Sequence, residues 1–229
     1  MTDEPLEPRP ALLFDLDGTL VDSVYQHVLA WREALAGIDL DLAVWRIHRR
    51  IGMSGGLLLD AIMRETGRHL EPDDVRRLQT AHIEAFERLL PQIHPLPGAA
   101  RLLRRLDDTG IAWAIATSGG RTSARPMLDL LGIAPKVAVT REEVPYAKPD
   151  PHLFLAAARR LGVAIEDSIV VGDSVWDMLA AQRARALGVG LLSGGYGREE
   201  LERAGAFRVY EDPADMDRHL DELGIRTPA

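Results

Sequence analysis

The sequence predicts an α/β protein: a three-layer, doubly wound parallel sheet with a block of helices inserted near its start. Three observations lead there. From residue 99 onward, short apolar runs alternate with helical stretches, the pattern of parallel strands joined by right-handed crossovers. The first apolar run ends in Asp15-Leu16-Asp17-Gly18-Thr19, which sets two carboxylates at the carboxyl end of a strand, where open α/β sheets bind ligands. Residues 22–91 keep helical spacing with no convincing strand among them.

Each element has its own signal. Residues 11–14 are apolar throughout, as in a strand buried on both faces, and Gly18 gives the backbone freedom to bend just beyond. After Asp22, Val24, Val28, Trp31 and Leu35 recur every three or four residues, and Gly37 ends that helix. Helices follow over 42–51, 57–65 and 73–90, the last opened by Pro72 and acidic residues that suit a helix start. The run His94-Pro95-Leu96-Pro97-Gly98 breaks the pattern and predicts a hinge or connector. The domains expected are therefore a core of residues 1–21 and 95–229 and a helical cap of residues 22–94. Within the core the pattern predicts helices over 99–107, 123–131, 151–161 and 175–185. Strands are expected over 111–116, 136–140, 169–172 and 188–192, with a weak edge strand at 207–210.

Composition narrows the function. Aspartate and glutamate number 35 against 27 lysines and arginines, a formal net charge of -8, which argues against a nucleic-acid partner. The chain has no cysteine, so thiol catalysis and thiolate zinc sites are excluded. Residues 1–10 are acidic and proline-rich without a signal-peptide pattern, and no apolar run approaches membrane-spanning length. The expectation is a cytoplasmic protein, a monomer or weak homodimer, without a membrane partner.

Three later strand ends also carry polar groups. Thr117-Ser118-Gly119-Gly120 places hydroxyls and backbone N–H groups where they can cradle a phosphate oxygen. Lys148 is set among prolines, and Gly172-Asp173-Ser174 is followed by Asp177. Converging carboxylates repel by roughly 4 kcal/mol per pair at about 4 Å and an effective dielectric near 20, and a bound divalent cation offsets that repulsion. All-oxygen ligands favour Mg²⁺ over zinc.

In order and content, Asp15-Leu16-Asp17-Gly18-Thr19, then Thr117-Ser118, Lys148-Pro149 and Gly172-Asp173-Ser174 with Asp177, the set resembles the haloacid dehalogenase superfamily. The branch it resembles is that of helical-capped phosphatases, close to phosphoglycolate phosphatases and β-phosphoglucomutases. The resemblance implies strand order 3-2-1-4-5 and a Mg²⁺-dependent phosphoric monoester hydrolase acting on a small phosphorylated metabolite, such as a sugar phosphate or phosphoglycolate. Asp15 would form an aspartyl-phosphate, and Asp17 would protonate the leaving alcohol and then activate water. Mg²⁺ would be held by Asp15, the Asp17 backbone carbonyl and Asp173. Thr117, Ser118, Gly119 and Lys148 would grip the phosphoryl group, and Asp177 would steady Lys148 or a metal-held water from one layer further out.

The resemblance also sorts alternatives. Dehalogenase relatives lack a second aspartate where Asp17 stands, and phosphonatases need a cap lysine, whereas Lys136 and Lys148 both lie outside 22–94. The mutases usually carry a hydrophobic residue in place of Thr19 and Glu-Asp in place of Gly172-Asp173. His27 and Trp31 nevertheless sit where those mutases carry a similar pair, so a sugar phosphomutase remains the alternative, with a non-catalytic phospho-ligand binder the remote one. In the cap, residues 49–56 resemble a substrate-specificity loop, which makes Arg50, Gly52 and Ser54, with His27 and Trp31, candidate substrate contacts. Gly52-Met53-Ser54-Gly55-Gly56 also fits the nucleophile elbow of serine hydrolases, but the basic, helix-like stretch before it lacks the required strand.

Overall fold

The computed structural model describes residues 10–225; the remaining residues of the expected core, 1–9 and 226–229, and the N-terminal segment read for a signal peptide up to residue 9, lie outside the described residues. Strand β1 (Ala11–Phe14) sits inside a six-stranded sheet. Its neighbours are β4 (Trp113–Ala116) and β6 (Ser168–Gly172); β5 (Ala138–Val139) lies beyond β4, and β7 (Leu187–Leu191) and β8 (Ala206–Tyr210) lie beyond β6. Every pairing is parallel, with Leu13 opposite both Ala114 and Val170. The order is the expected 3-2-1-4-5 with β8 added at the edge.

Alternation along β1 divides the core. Leu12 and Phe14 join Ile115, Val171 and Val189 on one face, under α5 (Ala99–Asp108), α6 (Arg121–Leu130) and α10 (Pro213–Arg218). Leu13 faces the other way with Ala114 and Val170, against Phe154 and Ala157 of α7 (His152–Leu161) and Ala180 of α8 (Val175–Ala184). Strands buried on both faces must be apolar at every position, which is why β1 reads as a continuous run rather than an alternating one. A short α9 (Arg198–Arg203) links β7 to β8.

Between β1 and β4 the chain leaves the sheet through β2 (Val21–Asp22) and returns through β3 (His94–Pro95), which pair antiparallel. The connection is therefore a two-stranded ribbon, too short for periodicity to reveal. Inserted between its strands are α1 (Val24–Ala36), α2 (Val44–His48), α3 (Gly55–Thr66) and α4 (Pro72–Leu89), which bury a separate apolar cluster including Val28, Trp31, Leu35, Ile47, Ile62 and Leu78. The helix expected over 42–51 is shorter: it stops at His48, and the chain turns through Gly52, whose φ is +97°. Among the described residues no helix is long and apolar enough to cross a membrane.

Candidate active site

β1 ends at Phe14, and the backbone amide of Asp15 still donates to the Val171 carbonyl of β6 at 2.8 Å. That last ladder bond fixes Asp15 at the sheet's carboxyl edge. Lys148, delivered by the loop before α7, is fully buried and ion-pairs with Asp15 and, at 2.8 Å, with Asp177 Oδ1. The other Asp177 oxygen accepts from the backbone amide and hydroxyl of Ser174, at 3.1 and 2.5 Å, capping α8. One carboxylate thus starts a helix and holds the lysine.

Asp15, Asp173 and Asp177 each offer an oxygen within 4.8 Å of the others, and all three are buried. Burial pushes the Asp15 carboxyl up to about 7, opposed by Lys148 and reinforced by the charges of Asp177 and Asp17. Asp173 is driven well above the ordinary carboxylate range by burial and by Asp177 and Asp15, against a 3.0 Å hydrogen bond from the Thr19 hydroxyl. Burial alone would lower Lys148, but Asp15 and Asp177 outweigh it and hold the ammonium above its usual value. Three buried acids facing one lysine leave negative charge uncompensated, and an all-oxygen set so disposed fits a hard divalent cation.

Glycines make the room. A Cβ on Gly194 would lie 1.6 Å from Asp173 Oδ2, and one on Gly18, where φ is +76°, would lie 2.5 Å from the same oxygen. Gly18 is legible in the sequence as a bend; Gly194, in the loop after β7, is not.

Asp17 faces another group. Its Oδ1 accepts from the Ser23 hydroxyl at 2.6 Å and lies 3.0 Å from His27 Nε2, while the Thr117 hydroxyl reaches Oδ2 at 3.4 Å. Burial would raise Asp17, yet His27 and Ser23 prevail and keep its carboxyl below the usual range. Behind His27, Nδ1 lies 3.1 Å from Nε2 of His82 on α4, His27 stacks on Phe86, and His82 stacks on Trp31 at 4.2 Å between ring centroids. Burial, aided by the His27 charge, holds His82 well below the ordinary histidine value, so it is neutral near pH 7. His82 and Ser23 escaped the sequence reading: His82 is a single polar residue in a helix whose partner, His27, lies 55 residues away, and Ser23 looks like a residue that merely starts a helix.

These groups open on one cavity of about 240 Å³, near the small end of metabolite pockets. Asp15, Asp17, Thr117, Ser118 and Gly119 line one end and Trp31, Leu58, Gln79 and His82 the other, while Gly52, also on the lining, sits against Ser174 of the core. The Ser118 hydroxyl is buried without a hydrogen-bond partner among the described residues, and the Gly119 amide donates to Thr117 Oγ1 at 2.9 Å. Lys148, Asp173 and Asp177 stand behind Asp15 rather than on the lining. Of the expected cap contacts, His27, Trp31 and Gly52 reach the cavity, whereas Arg50 and Ser54 do not. Arg50 instead pairs with Glu65 and donates to the Arg46 carbonyl.

A family model of haloacid dehalogenase-like hydrolases matches residues 10–185. The chain is a haloacid dehalogenase-like hydrolase. Hexitol phosphatase A of Escherichia coli is 38% identical over 75% of this chain and 78% of its own length. Phosphoglycolate phosphatase of Rhodospirillum rubrum is 33% identical over 95% of this chain and 92% of its own length. A hydrolase of Pseudomonas syringae, known from a crystal structure, superposes with TM-score 0.92 at 55% identity, covering 94% of this chain and 99% of that one.

In this hydrolase the helical block also touches the core directly. The Arg49 carbonyl accepts from Trp176 Nε1 at 3.2 Å and from the Tyr196 hydroxyl at 3.0 Å, and His48 Nε2 lies 2.8 Å from the Gly194 carbonyl. The arginine flagged by the sequence, Arg50, belongs to the helical block alone, while its neighbour Arg49 bridges to Glu200 in the core.

Proposed function

We propose that the chain is a Mg²⁺-dependent phosphatase of small phosphorylated metabolites that works through an aspartyl-phosphate on Asp15, with residues 22–94 acting as a cap over the core. The observation that carries this reading is Asp15 itself: buried, ion-paired to Lys148 and lining the same cavity end as the unpartnered Ser118 hydroxyl. Asp15, the Asp17 backbone carbonyl and Asp173 would hold Mg²⁺, with Asp177 keeping Lys148 in place. When bound, Mg²⁺ neutralises phosphate charge and orients the phosphorus for attack.

The chain's own groups do the rest. The Ser118 hydroxyl draws the phosphoryl oxygens to the cavity end, the Lys148 charge behind Asp15 favours the negative phosphoryl group there, and Asp15 attacks phosphorus as the ester oxygen leaves. Asp17, ionised in the free site, takes up a proton from solvent as the negative phosphate binds beside it, gives that proton to the leaving oxygen, then takes one from the water that attacks the phosphorylated Asp15. Ser23 and His27 aim Asp17 in both halves. The apolar walls beyond, Trp31 and Leu58, limit access of other water.

The names of the two relatives point to a hexitol phosphate and to phosphoglycolate, and both fit a small phosphomonoester. Release of p-nitrophenol from p-nitrophenyl phosphate, dependent on added Mg²⁺, tests the reading. Interconversion of hexose 1- and 6-phosphates without phosphate release would replace it with the mutase, and tight binding without turnover across phosphoesters would leave only a binder.

A further inference from the structure

Two helices of the inserted block interlock beside Asp17. α1 turns His27 and Trp31 to one face, and α4 does the same with His82 and Phe86, each pair one helical turn apart. Phe86 lies parallel to the His27 ring at 3.9 Å between centroids, and His82 lies on Trp31. All four side chains are buried. Inside this stack the two imidazoles meet edge to edge, their planes 18° apart, with His27 Nδ1 3.1 Å from His82 Nε2. That is the geometry of an in-plane hydrogen bond, and among the described residues His82 is the one partner of His27 Nδ1.

Packing alone does not call for a second imidazole. An apolar ring would fill the space against Trp31 without the cost of burying a polar group. What His82 adds is control of the His27 proton, because the hydrogen bond made by one ring nitrogen decides what the other can offer. His27 Nε2 lies 3.0 Å from Asp17 Oδ1, an acceptor that a bare nitrogen lone pair would repel. When His82 Nε2–H donates to Nδ1, the proton of a neutral His27 sits on Nε2. When His27 holds both protons, His82 accepts from Nδ1 instead, since a neutral imidazole offers either group. Both arrangements direct an N–H at Oδ1, beside the Ser23 hydroxyl. Oδ2, near the Thr117 hydroxyl, is left to exchange protons with the reacting oxygens.

We infer that His82 is a positioning residue for the reaction, acting through His27 to fix Asp17 Oδ1 so that Oδ2 alone carries the transferred proton. The inference rests on the acid–base role proposed for Asp17 and adds to it a residue of α4 that need not touch the reacting atoms.

Three variants of the full chain, assayed with Mg²⁺, separate the roles open to His82. Glutamine sets an amide atom where the imidazole has Nε2, asparagine where it has Nδ1, and phenylalanine keeps a ring with neither. His82→Gln should retain most of the kcat for glycerol 3-phosphate. His82→Asn and His82→Phe should lose about ten- to 10²-fold, the scale of a misplacement of about 1 Å, with KM little changed. The first turnover of p-nitrophenyl phosphate, whose leaving group needs no proton from Asp17, should stay near the native rate in all three. His82→Phe more active than His82→Gln would make His82 a packing residue and overturn the inference. Activity restored by asparagine and not by glutamine would put His82 on the substrate through Nδ1 and overturn it too, as would a first turnover that falls in step with kcat. Nitrogen NMR of the native chain with isotope-labelled histidine, its His27 signals assigned by their absence from His27→Asn, gives a test without variants of His82. His27 Nε2 should carry a proton, and a lone pair there overturns the inference. No hydrolysis of either ester by the native chain overturns the phosphatase reading instead, while the spectrum still decides the bond between the two histidines.

Discussion

Lys148 Nζ lies 2.8 Å from Asp177 Oδ1, and both side chains are 0% exposed. Breaking a buried ion pair from one side strands the other charge and costs about 3–5 kcal/mol. Lys148→Met leaves Asp15 and Asp177 without their cation, so its thermal unfolding temperature should fall well below that of the native chain. Lys148→Met combined with Asp177→Asn should recover part of the loss. Calorimetry of the two variants checks this; a double variant less stable than the single one would contradict it.

The acid cluster makes stability depend on pH in an unusual direction. Asp15 titrates near 7 in the folded chain against an ordinary 3.8. A raised carboxyl contributes stability that is fully present below its unfolded value and lost as pH rises through the folded one, because the folded state must then release a proton the unfolded chain has already lost. Without metal, the unfolding temperature should therefore decline between about pH 4 and pH 7. Mg²⁺ binds the ionised form, so its stabilisation should be larger at about pH 8 than at about pH 5, at roughly 2–4 °C per kcal/mol for a chain of this size. Thermal shifts with and without Mg²⁺ measure it, and equal shifts at the two pH values would contradict it.

His27 bears on the Asp17 carboxylate at 3.0 Å and helps hold its pKa down. His27→Ala should let that pKa rise, moving the basic limb of the kcat/KM profile for an alkyl phosphate, which needs Asp17 protonated, to higher pH and lowering kcat by up to about 10²-fold, the low end of what a positioned acid–base group supplies. A pH–rate profile reads both effects. A purely structural role for His27 would lower activity without moving the limb.

Gly194→Ala sets a methyl group against Asp173 Oδ2. The aspartate must swing away, straining its hydrogen bond from Thr19. Mg²⁺ affinity, measured by titration calorimetry, should weaken by roughly 10–100-fold, the range typical of disturbed ligand support.

How much of this was legible beforehand follows from where each residue sits. Asp15, Asp17, Thr117 and Asp173 stand where apolar strands end, and a strand end is visible in sequence because the composition changes there abruptly. Lys148 carried no local signal and was read from its order among the other motifs. His82 lies 55 residues from His27, and nothing along α4 distinguishes it from a helix residue packed in the core; only the packing of α4 on α1 pairs the two rings. Gly194 looks like any loop glycine until Asp173 is placed beside it. Arg49 and Arg50 are adjacent in sequence, and the point where α2 stops decides which guanidinium meets the core and which meets Glu65. Helix ends are set by tertiary contacts that periodicity does not carry.

The role of Asp15 as the group that accepts the phosphoryl can be read directly. p-Nitrophenolate leaves as a stabilised anion without needing a proton, so with p-nitrophenyl phosphate Asp17→Asn should slow the water step far more than the first transfer. Mass spectrometry of that variant, mixed with substrate and Mg²⁺ and quenched in acid, should find one phosphoryl group on the peptide containing Asp15. A peptide free of phosphoryl while p-nitrophenol is still released, or the phosphoryl group on any other residue, would contradict the account.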